Sequence, residues 1–356
     1  MKPPLAVSGG EPMGRDAAPA GASLVIAPQW IGDAVMAEPL LRRLAARGER
    51  LTVAALPWVA PVLRAMPAVA EVIELPFARG SLQLGARRAV ARALAGRFDT
   101  AYVLPNSLKS ALLPLLARIP RRVGYLGEAR VGLLTHRLPN PRPRPPMVPF
   151  YLALSGDRGP FDPAGADRPQ LVPPAAAVAA ALARHGLARG DYTVMAPGAE
   201  FGPAKRWPTD RFAELARSLA ARWPGQPVLL LGSDKEAVPA QTIADAAPAV
   251  SRNLAGRTSL DEALALIAGA ARMVSNDSGL MHVAAALTVP QVALFGSSSP
   301  RHTPPLSPAA RVIWLKDDVR YQPPLDCAPC FERECPLGHT RCLADIDAAR
   351  VLALLP

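Results

Sequence analysis

Short apolar runs alternate with amphipathic helical stretches along the chain, and the alternation starts twice. Residues 23–28, 51–56, 71–75 and 100–104 read as strands, with helices at 34–47, 59–66 and 86–95 and another after Lys109. Strands separated by single helices pack as parallel βαβ units, which restricts the chain to the α/β class. The pattern breaks at 139–149, where prolines stand at 139, 141, 143, 145, 146 and 149 and exclude regular structure. It then restarts. A helix at 175–185, a strand at 192–196 and a helix with Phe212, Leu215, Ala216, Leu219, Ala220 and Trp223 on one face come first. Strands at 228–231, 270–275, 291–295 and 312–315 follow, with helices at 235–247 and about 346–355. Ser259 and Glu262 have the spacing of a capping box.

Two α/β halves facing across a cleft are the expectation. Residues 1–22, rich in Gly, Pro and Ala, read as a disordered tail. The first domain is then 23–160, the linker 161–174 and the second domain 175–356. A length of 356 residues suits two cores better than one.

The balance of 40 Lys+Arg against 29 Asp+Glu, a net +11, favours anionic partners. Nucleic acid is the weaker choice, because aromatics are only 5% and no nucleic-acid module is recognisable. No stretch reaches the roughly 18 apolar residues a membrane span needs. The leader lacks the apolar core of a signal peptide, so the expected location is cytoplasmic. Residues 108–119, followed by Arg121 and Arg122, read either as a buried helix or as a membrane-surface contact.

The most informative turn is Asn276-Asp277-Ser278-Gly279-Leu280-Met281-His282, between an apolar strand and Ala-rich helix formers. In an open parallel sheet ligands bind where such turns enter helices. Unpaired amides of Ser278, Gly279 and Leu280 would suit a phosphate, and Gly279 would let it approach. His282 follows Ser278 by four residues and shares its helix face. Asp277 would accept bonds from sugar hydroxyls; alternatively Asp277 or Ser278 is only a helix cap.

A second loop, 197–208, follows the first strand of the second half and carries Gly198, Gly202, Lys205 and Arg206. A cation beside a glycine loop fits a phosphate, although a solvated surface loop would look the same. Together these turns suggest a nucleotide-diphosphate-sugar site. In the first half, Gly32-Asp33 occupies the first strand-to-helix turn. Asp33 there can deprotonate a sugar hydroxyl or simply cap the helix, and a helix start would lower its pKa and weaken it as a base. Asn106, Ser107 and Lys109 end the fourth strand and could hold an anionic acceptor. Cys327, Cys330, Cys335 and Cys342 crowd together near His339. That density suggests a structural zinc knuckle in a reducing compartment, with disulfides or redox-sensitive thiols as rivals.

Taken together these stretches resemble the ADP-heptose:lipopolysaccharide heptosyltransferases. The carriers are WIGDAVM at 30–36, AYVLPNSLKSAL at 101–112, PGAEFGPAKRWP at 197–208, NLAGRTSL at 253–260, NDSGLMHVAAAL at 276–287 and SSPRHTPPLS at 298–307. The wording at 105–112 and 197–208 is nearest to the branch that adds the second inner-core heptose. The resemblance implies a GT-B fold of two Rossmann-like domains, the first for the acceptor and the second for the donor. It implies inverting transfer of L-glycero-D-manno-heptose from ADP-heptose to the first heptose of phosphorylated lipid A–Kdo at the inner membrane surface, with no metal required. It makes Asp33 the general base and Lys205 the group that meets charge on the departing ADP. Asp277 would hold heptose hydroxyls, and Ser278, Gly279 and His282 the diphosphate. Gly198, Glu200 and Asp234 would touch the nucleotide sugar. Residues 147–151 depart from the Glu-Arg that many relatives carry before the Tyr. The competing readings are the first-heptose transferase, another GT-B nucleotide-sugar enzyme, and a non-catalytic nucleotide-sugar-binding protein.

Overall fold

The computed structural model describes residues 21–78, 81–157 and 159–356. The proposed tail therefore lies almost wholly outside the described residues, and Ala22 already opens the first strand. The first half runs β1 (Ala22–Ile26), α1 (Ile31–Met36), α2 (Glu38–Ala46), β2 (Arg50–Ala55), α3 (Ala60–Arg64), β3 (Val69–Glu74), α4 (Leu84–Leu94), β4 (Thr100–Val103), α5 (Leu108–Leu116), β5 (Arg121–Tyr125), β6 (His136–Leu138) and α6 (Met147–Leu152). The second runs α7 (Ala175–His185), β7 (Thr193–Ala196), α8 (Thr209–Arg222), β8 (Val228–Leu230), α9 (Ala237–Ala246), β9 (Ser251–Asn253), α10 (Leu260–Gly269), β10 (Arg272–Asn276), α11 (Gly279–Ala286), β11 (Gln291–Phe295), β12 (Ala310–Trp314), α12 (Arg341–Ala344) and α13 (Ala348–Ala353).

Each half builds a six-stranded parallel sheet, ordered β3-β2-β1-β4-β5-β6 and β12-β11-β10-β7-β8-β9. Numbered within its own half, the second sheet repeats the order of the first. Strand order reverses beside β1 in one sheet and beside β7 in the other, and crevices at such reversals are where α/β sheets bind ligands. The pair β7–β10, in register from Thr193↔Arg272 to Ala196↔Ser275, sets the loop after β7 beside the turn after β10.

Several expected elements differ. The helix expected at 34–47 starts three residues earlier and is interrupted at Ala37. Asp33 thus lies in the first turn of α1 and is not its cap, because the cap position falls to Trp30. The proline-rich stretch is not irregular throughout: Met147–Leu152 is helical, with Pro149 in the first turn, where an amide would lack a partner anyway. The sequence pattern missed β5, β6 and β9. Arg121 and Arg122 hide β5 behind charge, while β6 and β9 are three-residue edge strands. Arg122 also answers part of the membrane-surface reading, since it donates to the carbonyls of Leu133 at 2.7 Å and Ile119 at 2.6 Å. At α10, Ser259 accepts from the Glu262 amide at 3.2 Å, one half of the expected capping box.

The segment joining the halves is strapped to the first. Arg43 grips the fully buried carboxylate of Asp167 at 2.6 Å through both oxygens. Buried Glu38 accepts from the Gln170 amide at 3.0 Å. Val172 then donates to the Ala65 carbonyl at 2.7 Å, and Leu171 to that of Ala286 at 3.3 Å, so the strap stitches α3 to the end of α11. One hydrophobic cluster runs through both halves, from Val35 and Leu63 to Leu264 and Val283. Burial of that size at the cost of ordering one strap favours two domains held face to face.

Candidate active site

The carboxyl ends of β1 and β2 face those of β7, β8, β9 and β10 across a cleft of ≈ 530 Å³. That is a fitting volume for a nucleotide sugar. Gln29, Trp30 and Trp58 wall it from the first half; Glu200, Asp234 and Ser278 wall it from the second.

The donor half centres on Asp277. Its Oδ2 accepts from Lys205 Nζ at 2.5 Å and from the hydroxyl of Ser298 at 2.6 Å. Lys205 is therefore not a bare cation beside the glycine loop, as the sequence alone implied. It is held by Asp277, with its ammonium 5.1 Å from the Phe201 ring centre. The pairing lets a carboxylate stand near a phosphate, because Lys205 neutralises Asp277. Ser278 occupies the cap position of α11 but caps nothing, and its buried hydroxyl has no partner. An unsatisfied hydroxyl buried at a helix start calls for an explanation. The missing cap bond settles the cap alternative against Ser278, and Asp277 likewise bonds Lys205 and Ser298.

Asn276, which the sequence reading passed over, is the latch of this half. Its Oδ1 accepts from the Trp207 amide at 3.0 Å and its Nδ2 donates to the Pro197 carbonyl at 2.7 Å, so it clamps both ends of the 197–208 loop. Glu236 was also missed, although the spacing Ser233-x-x-Glu236 signals it. It accepts from the Ser233 amide at 2.7 Å and from the Ser233 hydroxyl. Its side chain fills the place where a Cβ on Gly198 would lie, 2.4 Å from Glu236 Cγ. Gly198 is thus required by Glu236 as well as by the cleft it lines. Gly202 is likewise required by the Arg333 carbonyl, 2.4 Å from a Cβ there. Glu200 lines the cleft and its Oε1 accepts from Lys235 at 2.8 Å on the open side.

Asp33, next to the cleft-lining Gly32, lies within electrostatic reach of Lys205 and Asp277. Burial raises its pKa to about 6, against the lowering charges of Arg144 and Lys205, while Asp277 adds to the rise. Burial therefore outweighs the helix start that was expected to weaken this base. A carboxylate poised near 6 is matched to accepting a proton at neutral pH. His282 moves the other way, down to about 4, chiefly through burial, with Asp277 opposing and Lys205 adding. It is neutral at pH 7 and can offer a hydrogen bond but no charge.

Arg144 is the residue the sequence reading lacked. It lies just ahead of the 147–151 departure, with its guanidinium 4.9 Å from the Phe150 ring centre. Phe150 in turn stacks on Tyr125 at 4.0 Å, and Tyr125 donates to the Phe150 carbonyl at 2.6 Å. This stack carries a cation to within electrostatic reach of both Asp33 and His302. Removing it should lift the Asp33 pKa. In Arg144→Gln, the acid limb of the kcat/KM–pH profile is expected to move to higher pH than the wild-type midpoint near 6. An unmoved limb would separate Arg144 from the base.

The proposed acceptor residues divide. Asn106 Oδ1 accepts from the buried Arg130 at 2.9 Å, and Ser107 caps α5 by accepting from the Ser110 amide at 3.3 Å. Both side chains are engaged in holding the β4–α5 turn. Lys109 shares that turn, and its carbonyl accepts from Arg87 at 3.0 Å.

The two halves touch at their helix starts. A Cβ on Gly279 would lie 2.8 Å from Ile31 Cβ, and one on Gly32 would lie 2.8 Å from His282 Cδ2. Gly279 is therefore needed for the approach of α1 to α11, beyond any anion. Gly279→Ala should act as a wedge, costing about 1–3 kcal/mol as overpacking does. A lowered melting temperature and a reduced kcat/KM are expected; a variant equal to wild type in both would show that the contact gives way freely.

A sequence profile for glycosyltransferase family 9 (heptosyltransferase) matches residues 87–341. Lipopolysaccharide heptosyltransferase 2 of Salmonella typhimurium is 43% identical over 346 residues, covering 92% of this chain and 96% of that protein. Lipooligosaccharide heptosyltransferase 2 of Haemophilus influenzae is 40% identical over 307 residues, covering 82% of this chain and 88% of that one. The solved structure of E. coli ADP-heptose lps heptosyltransferase II matches with a TM-score of 0.79 at 41% identity, covering 94% of this chain and 97% of that one.

Proposed function

The chain belongs to glycosyltransferase family 9, the heptosyltransferases, and from that membership we propose how its cleft performs the transfer and on which acceptor. It is a lipopolysaccharide heptosyltransferase of the second type, taking ADP-heptose as donor. The observation that carries the mechanism is Asp33, poised near pKa 6 and within electrostatic reach of the Lys205–Asp277 pair, beside the cleft that Gly32 and Ser278 line.

Asp33 takes the proton of the acceptor hydroxyl as that oxygen bonds to the anomeric carbon of the donor heptose. The bond from this carbon to the β-phosphate oxygen breaks on the opposite face, so the configuration inverts. ADP leaves with the electron pair. Lys205 and the amides at the start of α11 meet the charge that grows on the leaving phosphate. Asp277 Oδ1, with Oδ2 already engaged, is left to accept a heptose hydroxyl. Gly198, Glu200 and Asp234 line the nucleotide-sugar side. With Lys205 supplying the positive charge, turnover is expected to be unchanged when magnesium is withheld.

The acceptor is proposed to be the first heptose of phosphorylated lipid A–Kdo, with Lys109 and Arg144 as the first-half cations that would meet its phosphates. No helix among the described residues is long and apolar enough to cross a membrane. The proposed place of work is the cytoplasmic face of the inner membrane, where the net +11 would favour an anionic surface. ADP release with ADP-heptose and two acceptors tests the reading. Turnover is expected with mono-heptosyl Kdo-lipid A and background with Kdo-lipid A. The reverse preference would make the chain a first-heptose transferase.

A further inference from the structure

All four cysteines are free thiols, and all four line one small cavity of ≈ 20 Å³. A space of that size holds a single water-sized body. We propose that this cavity is a structural zinc site, with the thiolates of Cys327, Cys330, Cys335 and Cys342 as its four ligands.

The residues around the cavity support an ion there. The Gly338 amide donates to the Cys335 carbonyl at 3.1 Å and holds the turn that carries Cys335 to the cavity. Ser297, buried and on the same wall, has a hydroxyl without a partner that can serve one of the sulfurs. His339 is a poorer ligand, because it is exposed and its Nδ1 already accepts from the Arg341 amide at 3.1 Å.

The side chains are not closed on a point as they stand: among the described residues no group of three or more His, Cys, Asp or Glu is arranged to hold a metal ion. Binding would have to draw the four thiols that line the cavity together. Four soft sulfurs around one small space suit tetrahedral zinc. Binding forms four Zn–S bonds and sends the displaced thiol protons to solvent.

The site would brace the donor half. Ala204 lines the cavity, next to Lys205, and its amide donates to the Arg333 carbonyl at 3.0 Å. Arg333 Nε returns to the Phe201 carbonyl at 2.7 Å, and the Phe331 amide donates to the Ser297 carbonyl at 2.7 Å, beside Ser298. The cysteine segment thus holds both loops whose side chains bond Asp277.

The test is the metal content of untagged full-length protein, purified under reducing conditions without added metal. About one zinc per chain is expected, released by a thiol-specific mercurial. Less than about a tenth of an equivalent, with all four thiols reactive in the native protein, overturns the site. Iron in place of zinc overturns the zinc assignment. Cys327→Ser with Cys330→Ser is expected to lose bound zinc and melt at lower temperature; full zinc retention would overturn the ligand set. Should that variant fail to fold, the wild-type metal content decides alone. Metal content does not depend on the mechanism proposed above, so the two can fail separately.

Discussion

Asp33→Asn is expected to lower kcat by about 10²–10⁴-fold, the range set by removal of a general base. ADP-heptose binding should survive, because the donor contacts lie on the other half. Titration of the donor by calorimetry beside single-turnover transfer would separate the two. The same variant should melt at a higher temperature near pH 7.5. The folded pKa of Asp33, about 6, lies above its ordinary 3.8. The folded protein therefore holds this proton more tightly than the unfolded chain. The destabilisation is fully present above pH 6 and fades as pH falls toward 3.8. Asparagine removes it at neutral pH. Near-normal turnover would end the assignment of Asp33 as base; lost turnover with a lower melting temperature would point to a structural fault instead.

Lys205→Ala should cost about 10²–10³-fold in kcat, as loss of one charge-stabilising donor does. It strips Asp277 of its ion-pair partner at a buried position, and leaves Oδ2 with the Ser298 hydroxyl. A bare carboxylate beside the diphosphate repels it, so donor affinity should fall too. The double variant Lys205→Ala with Asp277→Asn separates these effects. It is expected to recover donor binding while kcat stays low. Recovery of kcat as well would mean that Lys205 serves only to neutralise Asp277.

Much of this was legible in the sequence, and what was not had physical causes. The α/β class and the turns at Asp33, Lys205 and Asp277 follow from local patterns, apolar periodicity and residues placed at strand ends. Sheet order does not, and it is the β7–β10 pairing that brings Lys205 to Asp277. The Asp33 pKa was misjudged because the helix start is local whereas burial comes from packing. Arg144 was invisible for a similar reason: it stands in a proline-rich stretch, and only the Tyr125–Phe150 stack shows where it is carried. Asn106 and Ser107 looked like ligand residues by type and position, but their partners, Arg130 and Ser110, come from packing and from the cap. Gly279 read as an anion-binding glycine, while the structure adds Ile31 from the other half.

That last contact limits how the two halves can be recombined or diverge. Gly32 meets His282 and Gly279 meets Ile31, so the matching surfaces belong to different domains although each lies in its own local motif. A chimera that takes its acceptor half from one relative and its donor half from another inherits one side of each contact from each parent. Ile31 and Gly279 must then be exchanged as a pair, and Gly32 with His282. Substitutions at these four positions should accordingly be inherited jointly, even where the remainder of either domain drifts toward a new acceptor or a new donor.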